Sequence, residues 1–111
     1  MRNFRTIFLE EADKFIAGLD EKAVKKILYV IDLAEQTNDP RLFKKLRDDI
    51  WEIRARHKNN RIRLLCFWDK SDNQDTLVVT THGFIKKDDK VPSNEIERAK
   101  SIRIKYFDNK K

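Results

Sequence analysis

Basic side chains are concentrated in one stretch of the chain, residues 41–63. This stretch holds nine Lys or Arg and three Asp or Glu, so its net charge of +6 equals that of the whole chain. Arginine suits phosphate because its planar guanidinium donates two parallel hydrogen bonds. A localised positive field also attracts polyanions and speeds their encounter. The stretch therefore favours a nucleic-acid ligand, and a solvated basic surface is an equally good interpretation of the charge alone.

The spacing of four arginines predicts that they share one face of a sheet. Between residues 51 and 56, apolar and charged side chains alternate, which is typical of a half-buried strand with a charged outer face. Asn59-Asn60 predicts a turn, so residues 61–68 form the expected antiparallel neighbour. Unpaired guanidiniums repel one another, which favours an anionic ligand. In the alternative, nearby carboxylates satisfy them as surface ion pairs worth about 0–1 kcal/mol each. The four are Arg54, Arg56, Arg61 and Arg63.

Two lysines and two histidines extend the set of residues that could act on a phosphate. Lys86 and Lys87 directly follow the third predicted strand. His82 could serve as a general acid or base near neutral pH, although a lone strand histidine is more often a packing residue. His57 is either a phosphate contact or a solvated residue at a strand end. Gly83 predicts a bulge or a close approach to the backbone.

Other chemistries are excluded by the composition. No Cys and His residues have zinc-ligand spacing, and no phosphate-binding glycine loop occurs among the two glycines. The single cysteine, Cys66, is typical of a reducing compartment. No apolar run approaches the roughly 18 residues of a membrane span. We therefore expect a cytoplasmic protein that uses no metal or cofactor and contacts no membrane.

The elements that must position these residues are predicted from periodicity. Residues 4–8 alternate imperfectly and indicate a first strand, and residues 10–18 indicate a short helix. Apolar residues between 24 and 34 recur at helical spacing, so they predict an amphipathic helix capped by Asp20. This helix should end near Asn38, because a proline follows two residues later. The two helices are expected to pack as a hairpin.

The second half of the chain predicts a sheet and a last helix. A polar turn over residues 69–75 separates the second predicted strand from a third, over residues 76–85. Pro92 opens a C-terminal helix. We predict one domain over residues 1–111, of the α+β class, in the order β-α-α-β-β-β-α. Its features are a mainly antiparallel sheet, an N-terminal helical hairpin and a C-terminal helix.

Three blocks of the sequence resemble the RelE/HigB-like toxin family, in particular its phage-derived branch. Residues 46–54, Leu-Arg-Asp-Asp-Ile-Trp-Glu-Ile-Arg, match the family's Leu-Trp-Glu-Leu-Arg block. Residues 61–67 match its Tyr-Arg-Ile/Leu block, with Ile62 in place of Tyr. Residues 82–87, His-Gly-Phe-Ile-Lys-Lys, match its His-Gly-Phe-x-Lys-Lys block and precede a proline and a Glu-Ile-x-x-Ala helix. The order and spacing agree over nearly the whole chain, although Asp48-Asp49 replaces a glycine-containing turn.

The resemblance implies a toxin of a toxin–antitoxin pair, most of which are metal-independent endoribonucleases. The substrate would be mRNA on the ribosome, and the partner an antitoxin with a helix-turn-helix domain, through which alone DNA is contacted. The alternative is a non-catalytic module that uses the same basic face to bind RNA or a protein. The implied catalytic residues are Arg54, Arg63, Lys86 and Lys87, with His82 as a further candidate. The expected RNA contacts are Lys44, Lys45, Arg47, Arg56, His57 and Arg61.

The reaction implied by the resemblance is attack of a ribose 2′-OH on the adjacent phosphate. It leaves a cyclic phosphate and a free 5′-OH, and positive side chains stabilise the charge that develops on the phosphoryl oxygens. The residue that removes the 2′ proton is left open at this point. The candidates are Glu52, His57, His82 and Lys86.

Overall fold

The computed structural model describes residues 2–72 and 76–110. Within these residues five strands form one sheet in the order β1-β5-β4-β3-β2, with β1 parallel to β5 and all other neighbours antiparallel. The α+β class, the helical hairpin and the C-terminal helix are confirmed. In chain order the elements are β1 (Arg5–Phe8), α1 (Glu10–Ala17), α2 (Glu21–Gln36), β2 (Phe43–Arg47), β3 (Ile50–His57), β4 (Asn60–Asp69), β5 (Leu77–Lys86) and α3 (Ser93–Asn109).

One strand, β2, was not predicted. It is a five-residue edge strand in which three of the residues are Lys or Arg, and its pairing with β3 shifts register between Lys45 and Arg47. The β2–β3 turn places Asp48 at φ 52° and Asp49 at φ 66°. Aspartate tolerates this left-handed conformation better than most residues, so it suits both positions of this turn. Residues 43–47 contain no apolar alternation long enough to indicate this strand.

The helical hairpin packs on one face of the sheet. Ile27, Val30 and Ile31 of α2 lie in the same buried cluster as Ile53 of β3 and Leu64 of β4. The α2 helix begins where it was predicted to begin, because the Asp20 carboxylate accepts a hydrogen bond from the Ala23 amide at 2.8 Å. The turn after β3 lies at residues 58–59, one residue before its predicted position.

The opposite face of the sheet is covered by α3 over only part of its area. Ile96 and Ala99 pack there against Leu65, Phe67 and Val79. None of the helices in residues 2–72 and 76–110 has both the length and the apolar character needed to cross a membrane. The uncovered remainder of this face carries the predicted arginines.

The C-terminal end of α3 is hydrogen-bonded to the sheet through Asp69. Tyr106 Oη donates to this buried carboxylate at 2.6 Å, and Lys110 Nζ donates to it at 2.8 Å. Burial alone would raise the pKa of Asp69, but hydrogen bonds from Lys110, Ser71 and Tyr106 hold that pKa well below its usual range. Asp69 also opens the predicted polar turn, of which residues 73–75 lie outside the described part of the chain.

Gly83 is the point where α1 touches β5. A Cβ atom at this position would lie 2.3 Å from Phe15 Cδ2 and 2.6 Å from Leu64 Cδ2. The predicted close approach is therefore confirmed. The bulge of β5 lies beside it, where the pairing with β4 shifts between Leu65 and Cys66.

We expect Gly83→Ala to lower the free energy of unfolding by about 1–3 kcal/mol, because the added methyl overpacks the α1–β5 contact. Gly18→Ala is the matched control. A Cβ at Gly18 meets only backbone oxygens at 3.6 Å and 3.8 Å, and its φ of −85° is open to any residue. Urea denaturation of both variants measures the difference. Equal stability of the two variants would contradict this account of Gly83.

Candidate functional site

The pairing of β3, β4 and β5 builds a two-row array of basic side chains. Arg54 lies opposite Arg63, and Arg56 lies opposite Arg61, which in turn lies opposite Lys86. Residues directly opposite one another in a sheet project from the same face. The register therefore confirms the predicted arginine face, and it adds Lys86 to it.

These side chains line a cavity of about 610 Å³, which we call the basic cleft. Two of its basic residues were not assigned to the site from the sequence. Lys26 comes from α2, and only tertiary packing brings it there. Arg41 belongs to the basic stretch, but no periodicity places it. The lining residues are Lys26, Val30, Arg41, Leu42, Arg54, Ala55, Arg56, Arg61, Arg63, Lys86 and Asp89.

Glu52 lies beneath the cleft and is buried, with 4% of its surface exposed. Its Oε1 lies 2.9 Å from Arg63 Nε and 3.7 Å from Arg54 Nε. The N–H bonds are not aligned with this oxygen, so the contacts are ion pairs rather than hydrogen bonds. The strand alternation correctly placed Glu52 on the same face as Arg54 and Arg56, but the expected exposure was wrong, because Glu52 is buried. Glu52 also lines a second, smaller cavity, together with Leu46 of β2 and Ile96 of α3.

Arg63 is held rigidly at the base of the cleft. It is 5% exposed, and its Nη1 donates to the Ile62 carbonyl at 3.0 Å. Burial lowers the pKa of Arg63, the Glu52 carboxylate opposes this, and the neighbouring arginines lower the pKa further. Arg63 and Arg54 are therefore paired with a carboxylate, as in the alternative interpretation of the arginine cluster. Within the described residues Arg56, Arg61 and Lys86 have no carboxylate within 4 Å.

Glu52→Gln should lower the free energy of unfolding by about 3 kcal/mol, because it leaves the buried Arg63 guanidinium without its counter-charge. The double variant Glu52→Gln/Arg63→Gln should recover most of this loss. Glu21→Gln removes a carboxylate that pairs with Lys25 on the exposed surface, so we expect a loss of only about 0.5 kcal/mol. Urea denaturation measures all three, and a Glu52→Gln loss no larger than that of Glu21→Gln would contradict a structural ion pair.

Lys86 is the one candidate proton-transfer residue that lines the basic cleft. It is half-buried at the end of β5. Burial and the nearby Arg63 charge lower the pKa of the Lys86 ammonium, while Glu52 acts in the opposite direction. Lys87 is exposed just beyond β5 and does not line the cleft. The two lysines of the family block therefore have different environments.

Neither histidine lines the basic cleft. His82 is 1% exposed, with Nε2 3.0 Å from Glu95 Oε1 and Nδ1 2.9 Å from Thr81 Oγ1. It therefore joins β5 to the first turn of α3. Desolvation lowers the pKa of His82, and the Glu95 carboxylate raises it. The Nε2 of His57 lies 3.7 Å from the carboxylate of Asp20, the cap of α2.

The predicted contacts on β2 separate onto two faces. Lys44 lies opposite Glu52, on the face of the cleft, whereas Lys45 lies opposite Trp51, on the other face. Arg47 donates to Ser93 Oγ at 3.0 Å and to the Asp48 carboxylate at 3.3 Å. Across residues 2–72 and 76–110, no group of three His, Cys, Asp or Glu side chains is placed to hold a metal ion.

The fold of this chain is similar to that of a chain in a solved protein complex. A chain of the archaeal RelE–RelB complex from Pyrococcus horikoshii OT3 superposes on this one with a TM-score of 0.50. The two are 16% identical, and the match covers 75% of this chain and 94% of that chain. At this identity the similarity shows the fold alone.

The family itself is shown by sequence. The model of the family described as "Phage derived protein Gp49-like (DUF891)" matches residues 14–103. The chain therefore belongs to this phage-derived family, and the predicted membership in the RelE/HigB-like toxins is confirmed. No curated protein sequence matches the chain.

Proposed function

We propose that this protein is the toxin of a type II toxin–antitoxin pair and cleaves mRNA on the ribosome without a metal ion. The observation that carries the proposal is the basic cleft. In it Arg63 is fixed by Glu52 beside Arg54, and Lys86 has a lowered pKa. Family membership supports the toxin assignment. The residues of the cleft supply what phosphoryl chemistry needs, which is positive charge held in place and one group that exchanges a proton.

In the proposed reaction the ribose 2′-oxygen bonds to the adjacent phosphorus while the bond from phosphorus to the 5′-oxygen breaks. The products are a 2′,3′-cyclic phosphate and a free 5′-OH. Negative charge grows on the non-bridging oxygens as the five-coordinate phosphorus forms. Arg63 and Arg54 stabilise this charge, and because Arg63 is already fixed, little reorganisation accompanies the reaction.

Lys86 transfers the proton in this proposal. Its neutral amine accepts the 2′ proton, and the resulting ammonium, or water, protonates the leaving 5′-oxygen. The geometry supports Lys86 over the other candidates. His82 and His57 are outside the cleft, and Glu52 is buried against Arg63. A single such group fits an enzyme whose substrate is positioned by the ribosome.

The partner in this proposal is an antitoxin protein. The archaeal chain of similar fold was solved in a RelE–RelB complex, which supports a protein partner for this chain. The antitoxin carries a helix-turn-helix domain, and DNA is contacted only through it. The alternative function is a non-catalytic module that binds RNA or a protein through the same cleft.

Mapping of mRNA 5′ ends after induced expression tests the proposal. Discrete new 5′ ends inside codons of translated messages, with growth arrest relieved by the antitoxin, are the expected result. The double variant Arg54→Gln/Arg63→Gln should produce neither effect at equal protein level. Growth arrest without new 5′ ends would overturn the enzyme in favour of the binding module.

A further inference from the structure

A second cavity, of about 280 Å³, adjoins the basic cleft on the same face of the sheet. Lys86 and Asp89 line both cavities, so the two are neighbours. The second cavity is bounded by Lys44 of β2 and by Lys90 and Val91 in the segment before α3. We call it the side cavity.

The side cavity combines positive charge with an apolar wall. Lys44 and Lys90 are exposed, and neither has an acidic partner within 4 Å in the described part of the chain. Leu46, Val91 and Ile96 supply apolar lining. The Glu52 carboxylate also lines the cavity, and its charge is paired with Arg63. Its volume is slightly below the range of about 300–1,000 Å³ typical of small-molecule sites, so it suits one small unit rather than a helix of a partner protein.

We propose that the side cavity binds the nucleotide next to the cleaved linkage of a single-stranded RNA. This inference rests on the proposed function, because it takes the basic cleft as the site of the reacting phosphate. A nucleotide has the matching chemistry, with an anionic phosphate for Lys44 and Lys90 and a flat apolar base for Leu46 and Val91.

The residues shared by the two cavities fix how the RNA passes between them. Lys86 lines both cavities, so its amino group can donate a hydrogen bond to the phosphate that joins the two nucleotides. Asp89 also lines both cavities, and its carboxylate can accept hydrogen bonds from a ribose hydroxyl or a base amino group. The Arg47 guanidinium is already hydrogen-bonded to Ser93 and Asp48. Lys44 and Lys90 are therefore the side-cavity cations that we expect to bind the phosphate.

The test measures binding of a fully 2′-O-methylated oligonucleotide, which cannot be cleaved, by fluorescence anisotropy over a range of salt concentrations. Lys44→Gln/Lys90→Gln should weaken binding about tenfold at low salt. It should also make the slope of log affinity against log salt shallower by about 0.7, the contribution of one phosphate contact on a single strand. The control Lys25→Gln/Lys105→Gln removes the same charge outside both cavities and should change affinity less than about twofold.

Equal effects of the two double variants would overturn the side cavity as a nucleotide site. A poly-glutamate chain whose binding weakens as much as that of RNA in Lys44→Gln/Lys90→Gln would also overturn it, in favour of an acidic protein partner. The proposed function is read separately, from cleavage of an unmodified message on ribosomes by the wild-type protein. If the wild-type protein cleaves the message and Lys44→Gln/Lys90→Gln binds RNA as tightly as the wild type, this inference is overturned and the proposed function stands.

Discussion

Arg63→Gln is expected to slow mRNA cleavage on ribosomes by about 10²–10³-fold, the usual cost of removing one preorganised charge-stabilising donor. Arg63 is the most rigidly held cation of the basic cleft, fixed by Glu52 and by the Ile62 carbonyl. Its replacement removes a positive charge held in a fixed position, and a water molecule that enters the site offers only a neutral donor in its place. Single-turnover cleavage of a programmed ribosome complex gives the rate directly.

A loss of folding must be separated from a loss of chemistry in this variant. Arg63→Gln leaves the Glu52 carboxylate buried without a partner, which itself destabilises the fold. The double variant Glu52→Gln/Arg63→Gln should restore the free energy of unfolding without restoring cleavage. Arg2→Gln is a matched control, because Arg2 pairs with Glu35 and Asp32 at 2.7 Å outside the cleft. Cleavage by the stable double variant at the wild-type rate would refute the role of Arg63.

Lys86→Arg should reduce cleavage by about 10²–10⁴-fold while RNA binding is kept, because it preserves the charge but removes the proton-transfer group. The guanidinium keeps its protons at any pH at which the protein folds. The lowered pKa of Lys86 predicts the direction in which the wild-type rate changes with pH. The neutral amine is the active base, so the rate should rise with pH up to the lowered pKa of Lys86 and level off above it.

The pH profile distinguishes proton transfer from electrostatics. Lys86→Arg should flatten the rise, whereas Lys87→Arg, on the exposed residue beyond β5, should keep the rise and lose far less activity. Lys105→Arg serves as the surface control. A Lys86→Arg variant with the wild-type rate and profile would show that the proton goes elsewhere.

The arginine face was predictable because strand alternation is a local property. Two residues per repeat place Arg54 and Arg56 on one side whatever the rest of the chain does, and one turn aligns Arg61 and Arg63 with them. The capped helix was predictable for the same reason, since Asp20 and the apolar stripe of α2 act within a few residues of each other.

Burial on that face was not predictable, because it depends on elements distant in the sequence. The alternation gives Glu52 and Arg56 the same side, yet Glu52 is covered by neighbouring elements and Arg56 is exposed. The burial of His82 was unpredictable for the same reason. Its block suggested chemistry, but the docking of α3 seals it against Glu95. Lys26 reaches the cleft only because the helical hairpin packs on this sheet.

The parallel pairing of β1 with β5 has a consequence for how the protein is made. Arg5 lies opposite Leu77 and Phe8 opposite Thr80, so the first strand has no neighbour until the last strand has been synthesised. Pairing over such a separation is slow, because loop closure precedes the stabilising contacts. Lys86 ends that same strand. A nascent chain therefore carries its arginines without a finished cleft, and the groups proposed to cut RNA are assembled only after β5 has been synthesised.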